Sequence, residues 1–281
     1  MAFSVSDLST DWPIDQDAFV RLAIQEIWST YGKNVSAGLK RKTLNKFGRK
    51  INGLIDDQTV WEVPALTETY LTPNNNLITH ISSSNAADTM SVAFEGHYFD
   101  AGDLYFGVET LNLTGQTPAA LSRGYARCSR LRAVDGPAGD VWAHQNTSIT
   151  AGVPTDFTTA HNVIKGTDNR TQSYKCATTL SYRDWGILTT SAYGIARKQG
   201  GAMDFELLIK LQGETAFTPV YGQAELDTGA TSFFQQNYKP FVIIPANSDL
   251  RVQFNPSITG MQANASFSML LALDREYAND V

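Results

Sequence analysis

The sequence has few charged residues, few cysteines and no long apolar run. Only 18% of its 281 residues are charged, and it contains two cysteines and four histidines. No stretch approaches the roughly 20 apolar residues that a membrane-spanning helix needs. The first residues also lack the apolar core of a secretory signal. We therefore expect no membrane segment and no signal peptide, and we expect synthesis in a cytoplasm.

The balance of charges argues against a nucleic-acid-binding protein. The formal net charge is −6, whereas neutralising phosphates needs an excess of lysine and arginine. The two cysteines, Cys128 and Cys176, each lie in strand-like apolar sequence, where a cysteine usually acts as a small buried hydrophobe. Disulfide scaffolds are normally short and rich in cysteine, so a disulfide is not favoured, although the sequence leaves the pairing open.

A search for catalytic signatures finds none. The sequence has no P-loop, no GxSxG elbow, no HExxH and no GxGxxG. The histidines, His80, His97, His144 and His161, have no second histidine or cysteine at a metal-ligand interval. We predict a protein that is not an enzyme and has no metal, no cofactor and no catalytic residues.

Two weaker patterns leave a carbohydrate-related function open. Asp184 and Glu206 could form a glycosidase carboxylate pair, but two carboxylates without geometry carry little weight. Tyr182, Trp185 and Tyr193 could form a surface that stacks on sugars. Aromatic residues at alternating spacing more often fill a sandwich core or a subunit interface.

The N-terminal segment has the one clear helical pattern. Apolar residues recur at helical spacing in AFVRLAIQEIW, after Pro13 and an acidic first turn. The sequence predicts an amphipathic helix that docks on a partner protein or covers one end of the β body. Its candidate docking residues are Phe19, Leu22, Ile27 and Trp28.

A basic stretch without acidic residues follows this helix. It is interpreted as a connector, which contacts packaged DNA or an acidic partner surface or is simply solvated. Phe47 is its only aromatic residue that could stack on a base, which weakens the nucleic-acid interpretation. The candidate contact residues of this basic arm are Lys40, Arg41, Lys42, Lys46, Arg49 and Lys50.

From about Val60 onward the hydrophobic period changes to two. Short runs rich in β-branched and aromatic residues alternate with Gly, Asn, Pro and Ser clusters, which predicts an antiparallel sandwich or jelly roll. Pro240 and Pro245 bracket FVII, so that strand should be short or lie at an edge. The predicted division is a helix and connector (1–59), a first β region (60–145), a loop or joint (146–170) and a second, jelly-roll-like β region (171–281), with the two β regions separate or continuous.

Several short motifs occur in a familiar order. They are KFG (46–48), VWEVPA (60–65), LITHISSSNAADTMSVAFEGHYFDAGDLYFGVETLNLTGQTPAAL (77–121), YARCSRLRAV (125–134) and PFVIIPANSDLRVQF (240–254). This order resembles a family of tailed-phage virion proteins with β-sandwich or jelly-roll domains, although one extra residue precedes Gly115. The resemblance is clear over residues 46–134 and looser elsewhere. It implies a structural role and a location in the virion, and it supplies no catalytic residues.

The resulting functional hypothesis is a non-enzymatic tail or portal-vertex accessory subunit, of the adaptor or fibre type, that assembles as a homo-oligomer. Its expected partners are other virion proteins: portal, tail or capsid subunits. One alternative is a head decoration or cementing protein. Another is a receptor- or glycan-binding tail module. A non-viral β-sandwich adhesin also stays open, but it would normally need a signal peptide. Neither nucleic acid nor a membrane is an expected partner.

Overall fold

The computed structural model describes residues 35–36, 42–67, 69–72, 77–195, 200–227 and 232–274. Nearly all regular structure in these ranges is β-strand, which confirms the predicted mainly β class. The predicted helix with Phe19, Leu22, Ile27 and Trp28 lies outside the described residues, as do Lys40 and Arg41. Among the described residues, no helix has the length and apolar character that a membrane crossing requires.

Nineteen strands make up the described fold, and every pairing between them is antiparallel. They are β1 (Val35–Ser36), β2 (Lys42–Lys50), β3 (Gln58–Thr59), β4 (Ile78–Ser83), β5 (Ser91–Asp100), β6 (Asp103–Asn112), β7 (Ala119–Tyr125), β8 (Arg127–Ala133), β9 (Val141–His144), β10 (Ile149–Thr150), β11 (Val153–Pro154), β12 (Ala160–Ile164), β13 (Ala177–Thr179), β14 (Asp184–Ile195), β15 (Ala202–Lys210), β16 (Thr218–Asp227), β17 (Phe233–Ile244), β18 (Asp249–Pro256) and β19 (Ala263–Asp274).

Two of the sheets form a jelly roll. One has the order β2-β19-β14-β17, with β1 also on β19, and the other has the order β13-β18-β15-β16, with β3 also on β18. We count β3 and β13 as one strand and number eight strands of these two sheets along the chain as β2, β3 with β13, β14, β15, β16, β17, β18 and β19. Their orders in the two sheets are then 1-8-3-6 and 2-7-4-5, which is the double Greek key of a jelly roll. The inner faces share one apolar core, which includes Phe205, Phe254, Phe267 and Met269.

The second strand of this jelly roll is interrupted. Strands β3 and β13 pair end to end with the same edge of β18, and the Cys176 amide donates a hydrogen bond to the Val60 carbonyl oxygen, at 2.9 Å. The chain therefore leaves the sheet at Val60 and returns to it at Cys176. We call residues 61–175 the inserted unit and the described residues on either side of it the jelly-roll unit.

The inserted unit is a smaller sandwich with its own core. Its sheets have the orders β12-β9-β4-β7 and β6-β5-β8, and β10 and β11 form a separate hairpin. Residues from both sheets pack in the core, among them Ile81, Phe94, Leu131 and Ile164. The two sheets therefore pack face to face over a shared apolar core.

The basic stretch differs from the sequence expectation. Lys42–Lys50 is not a connector but strand β2, which pairs with β19 from Lys42↔Leu271 to Lys50↔Ala263. Exposed Asn45 and Phe47 alternate with buried Lys46 and Gly48, so the segment follows the two-residue period of a half-buried strand. This period was not recognised in the sequence, because buried positions were not expected to carry charged residues such as Lys46 and Lys50.

The segment predicted as a loop or joint, 146–170, also contains regular structure. It holds the hairpin of β10 and β11, two short 3-10 helices and strand β12. All five residues of β12 are buried, although their sequence, AHNVI, includes His161 and Asn162. These polar residues made the run read as a loop. Both cysteines, Cys128 and Cys176, are free and buried.

Gly48 is a point of very close approach between β2 and the interrupted strand. A Cβ atom on Gly48 would lie 2.2 Å from the Val60 carbonyl oxygen and 2.4 Å from the Cys176 amide nitrogen. We expect Gly48→Ala to lower the free energy of unfolding by about 3 kcal/mol, because backbone cannot yield as a flexible side chain can. A Cβ on Gly136 would meet nothing within 4 Å, so Gly136→Ala should change stability by less than about 0.5 kcal/mol. Urea unfolding of both variants measures the difference, and equal stabilities would contradict this account.

Candidate functional site

The contact between the two units is held by a buried ion pair. Arg127, at the start of β8, donates from Nε and Nη2 to the two carboxylate oxygens of Asp249 at 2.9 Å each. Its Nη1 donates to the carbonyl oxygens of Leu71 and Ala126. Burial alone would raise the pKa of Asp249, but the charge and hydrogen bonds of Arg127 hold it below its usual value.

Asp249 also binds groups within the jelly-roll unit. Thr179 Oγ1 donates to its Oδ1 at 2.6 Å, and Lys210 Nζ lies 3.4 Å from its Oδ2. This carboxylate therefore joins β8 of the inserted unit to β13, β15 and β18 of the jelly roll. A buried pair with two parallel hydrogen bonds fixes the relative position of the two units.

A cleft of about 750 Å³ lies where the units meet. Strand β2 and the residues around β13 form one wall, and strands β5, β6 and β8 form the other. The lining is mixed, with aromatic, hydroxyl and charged side chains. A volume of this size falls within the range of small-molecule sites.

The charged side chains of the cleft differ in how many hydrogen bonds they make. Glu95 Oε2 accepts from Arg130 Nε and Nη2 at 2.9 and 2.7 Å, and Glu95 Oε1 accepts from Arg132 Nη2 at 2.7 Å. Lys46, only 9% exposed, donates a single hydrogen bond, to the Ser129 carbonyl oxygen at 2.9 Å. Burial, together with the charges of Lys175 and Arg130, lowers the pKa of Lys46 to about 8.

The remaining residues of the predicted basic arm occupy different environments. Lys50 is buried, and its Nζ donates to the carbonyl oxygens of Val63 and Ala65 at 2.7 and 3.1 Å. Burial lowers its pKa to about 8. Arg49 is half-buried, and Lys42 forms the start of β2. Lys46 and Lys50 thus make contacts inside the chain, and a partner contact by this arm stays a prediction.

The structure separates the two carboxylates considered as a glycosidase pair. Asp184 lines the cleft between the units, whereas Glu206 lines a different cavity on the outer side of β15. Retaining and inverting mechanisms both need two carboxylates that flank one bond. The pair considered from the sequence therefore does not form one site.

The aromatic residues considered for sugar stacking also separate. Trp185 and Tyr193 are 95% buried and belong to apolar clusters, as the core interpretation predicts. Tyr182 is half-buried and lines the cleft, where its ring lies 4.3 Å from that of Tyr105. The Tyr105 partner could not be found from the sequence, because β6 and the turn before β14 are 77 residues apart.

Three of the four widely spaced histidines come together in the inserted unit. His80 and His144 are opposite each other on β4 and β9, with ring centroids 6.3 Å apart. Gln145, the residue after His144, has its Nε2 3.1 Å from His161 Nε2. This contact places His161 of β12 near His80 and His144. No group of three His, Cys, Asp or Glu side chains in the described ranges could hold a metal ion.

Large apolar side chains are exposed on two edge strands. Phe233 and Phe234 begin β17, the edge strand of one jelly-roll sheet, and Phe233 is 59% exposed. Phe106 and Val108 are exposed on β6, one of the two edge strands of the three-stranded sheet. Edge strands with exposed apolar residues are natural sites of strand or subunit association.

No protein-family model matches the chain, and no curated protein gives a significant match. A crystal structure of the infectious bursal disease virus VP2 subviral particle has 11% identity and a TM-score of 0.22, over 91% of this chain and 77% of that chain. A structure of infectious bursal disease virus, Gt strain, has 8% identity and a TM-score of 0.12, over 92% of this chain and 89% of that one. At such TM-scores neither similarity supports an inference.

Proposed function

We propose that this chain is a non-enzymatic structural protein of a tailed-phage virion, a tail or portal-vertex accessory subunit that assembles as a homo-oligomer. The observation that carries the proposal is a jelly roll with exposed phenylalanines on an edge strand. Jelly rolls are a common architecture of virion proteins. The ordered motifs that resemble tailed-phage proteins, between residues 46 and 134, support the viral assignment.

The rigid contact between the units favours a structural role. Arg127 and Asp249 are buried and joined by two hydrogen bonds, so the inserted unit keeps a fixed position on the jelly roll. A subunit of a symmetric assembly needs such rigidity, since each interface must recur with the same geometry in every copy. The separation of Asp184 from Glu206 removes the one catalytic pair that the sequence suggested.

Phe233 is the residue we expect to contribute most to self-association. A centrally buried aromatic side chain commonly contributes about 2 kcal/mol or more to an interface. Phe233→Ser should therefore weaken the oligomer by about 30-fold. Analytical ultracentrifugation of the full chain over a range of concentrations measures this change. Val134→Ser is the control, because Val134 is also exposed, at 73%, but it follows β8 in the inserted unit and does not belong to β17. A wild-type monomer, or equal weakening by both variants, would contradict the assembly surface.

The virion location is tested on purified particles. Mass spectrometry should detect the chain, and cryo-electron microscopy should show its density at one vertex. Density repeated over the whole capsid would support a decoration protein instead, and absence from particles would refute the virion role.

The attachment role of the N-terminal segment needs a truncation that spares β2. Deletion of residues 1–34 removes the predicted helix, whereas deletion to residue 50 would also remove a strand of the jelly roll. We expect the shorter deletion to abolish incorporation into particles while the purified protein still folds. Normal incorporation would show that the helix is not the attachment element.

A further inference from the structure

The cleft between the units contains a buried cation whose hydrogen-bonding capacity is not filled. An ammonium group has three donors, and Lys46 uses one of them, on the Ser129 carbonyl oxygen. Among the described residues no carboxylate lies within ion-pair distance of Lys46. The nearby carboxylate of Glu95 has both oxygens engaged by Arg130 and Arg132. Buried charges are normally paired, so the site favours a bound anion.

A second polar group lines the same cleft without a partner. Ser181, 7% exposed, has a buried Oγ that makes no hydrogen bond with any described residue. Most buried polar atoms in folded proteins have a partner, so an unpartnered hydroxyl requires an explanation. Lys46 and Ser181 are 135 residues apart in the sequence, and only the fold places both on one cavity.

The aromatic residues of the cleft supply flat apolar surfaces. Tyr105 and Tyr182 face it from the two units, and Tyr174 packs edge-on against Phe47 with centroids 5.2 Å apart. A hydrogen bond with Tyr182 raises the pKa of the Tyr105 hydroxyl to about 12. Aromatic faces beside hydroxyl and amide groups suit a ligand with one apolar face and many hydroxyls, such as a sugar ring.

The charge in the cleft limits the ligand further. Lys46 is a single ammonium with spare donors, and the guanidinium of Arg130 is already paired with Glu95. Two further cations line the cleft: Lys175 donates to backbone carbonyl oxygens, and Arg183 lies over the Tyr182 ring. The Lys46 ammonium matches a singly charged carboxylate better than a doubly charged phosphate, which usually binds arginine forks or several backbone amides.

We propose that the cleft between the two units binds an acidic saccharide, a sugar that carries one carboxylate. The carboxylate contacts Lys46 Nζ and Ser181 Oγ, and the sugar ring packs against Tyr105 and Tyr182. The proposal does not depend on a virion location and goes beyond the structural role proposed above.

The test is isothermal titration calorimetry with the purified full-length chain. The probes are N-acetylneuraminic acid and glucuronic acid, with glucose and inorganic phosphate as comparison ligands. We expect at least one acidic sugar to bind, and both comparison ligands to bind at least about tenfold more weakly, as expected for the loss of a charge-assisted hydrogen bond. No binding of either acidic sugar, or equal binding of glucose or phosphate, would overturn the proposal.

Lys46→Met is the decisive variant, and the same strand offers a matched control. Lys46→Met keeps most of the apolar stem and removes the charge, so the affinity should fall about tenfold or more. Lys50 is also a buried lysine of β2, but it binds Val63 and Ala65 and does not line the cleft. Lys50→Met should leave the affinity within about twofold. Equal losses in both variants would contradict a direct contact with Lys46.

Two further measurements keep the proposal testable if Lys46→Met fails to fold. Tyr182→Ala should weaken the acidic sugar without changing the oligomeric state. The wild-type affinity should also fall as the pH rises from 7 to 9, because Lys46 loses its proton near pH 8. Unchanged affinity in both measurements would remove Lys46 and Tyr182 from the site.

Discussion

Lowering the pH from 7 to 5 should destabilise this fold by roughly 5 kcal/mol, enough to bring a protein of ordinary stability close to unfolding. The cause is three buried histidines. Burial lowers the pKa of His97 to about 3, of His144 to about 4 and of His161 to about 3. In the unfolded chain each would titrate near 6.5.

The sign follows from proton uptake. Between pH 6.5 and 4 the unfolded chain binds protons at these histidines and the folded chain does not, so stability falls as the pH falls. Between pH 7 and 5 each histidine contributes about 2 kcal/mol. Nearby cations add to the effect of burial: Lys46, Arg127 and Lys175 at His97, and Lys175 and Arg127 at His161. Asp249 opposes it at His97.

Buried carboxylates add to the pH dependence of stability. Asp249, whose pKa is lowered in the folded state, contributes stability that is lost as the pH falls below its unfolded value toward its folded one. Glu62 acts in the opposite direction, because burial raises its pKa. The histidines therefore dominate between pH 7 and 5, and carboxylates with a lowered pKa, such as Asp249, matter below that range.

Urea unfolding at half-unit pH steps measures this dependence. His161→Gln keeps a hydrogen-bonding side chain and removes one titrating group. Near pH 5 the free energy of unfolding of this variant should therefore change with pH less steeply than that of the wild type, by about 1.4 kcal/mol per pH unit. The slope comparison is independent of any constant cost of the substitution. Flat stability between pH 7 and 5 in the wild type would show that these histidines titrate normally in the folded protein.

Asp249→Ala should lower the free energy of unfolding by about 3–5 kcal/mol. The substitution leaves the Arg127 guanidinium buried between the units without its carboxylate, and it also removes the acceptor of Thr179 Oγ1. The inserted unit loses its ionic contact with the jelly roll. We therefore expect a lower melting temperature and earlier proteolysis at the contact between the units.

Two comparisons distinguish the effect of an unpaired buried charge from a general loss of packing. The double variant Arg127→Met with Asp249→Leu removes both charges and should be less destabilised than Asp249→Ala alone. Asp140→Ala breaks a more exposed pair with Lys165 and should cost only about 1 kcal/mol. If all three variants lost the same stability, the buried pair would not be the main contact between the units.

The β architecture could be predicted because its signal is local. Alternation with a period of two lies within each strand, and Pro240 and Pro245 indicated an edge position for a strand that does form the edge of its sheet as β17. Strand β2 was missed for a physical reason. Buried lysines mimic a solvated connector, and only the three-dimensional contacts show that backbone carbonyl oxygens bind Lys46 and Lys50.

The cleft could not be predicted, because its residues come from distant segments. Lys46 lies on β2, Tyr105 on β6 and Ser181 before β14, and no spacing in the sequence relates them. The pairing of Arg127 with Asp249 spans 122 residues and leaves no local pattern. Tyr182 was noticed as a candidate stacking residue, but its neighbours in the proposed site depend on how the inserted unit sits on the jelly roll.

Because the jelly roll is interrupted between Val60 and Cys176, we expect the inserted unit to fold before the jelly roll during synthesis. Strand β2 leaves the ribosome before its partner β19, which follows more than 200 residues later, so β2 has no partner strand until β19 is made. The inserted unit contains all the strands of its own two sheets and can fold during that interval. The jelly roll then completes its sheets after the inserted unit has folded. Because β2 stays unpaired for most of this time, we expect it to be the strand that chaperones bind most.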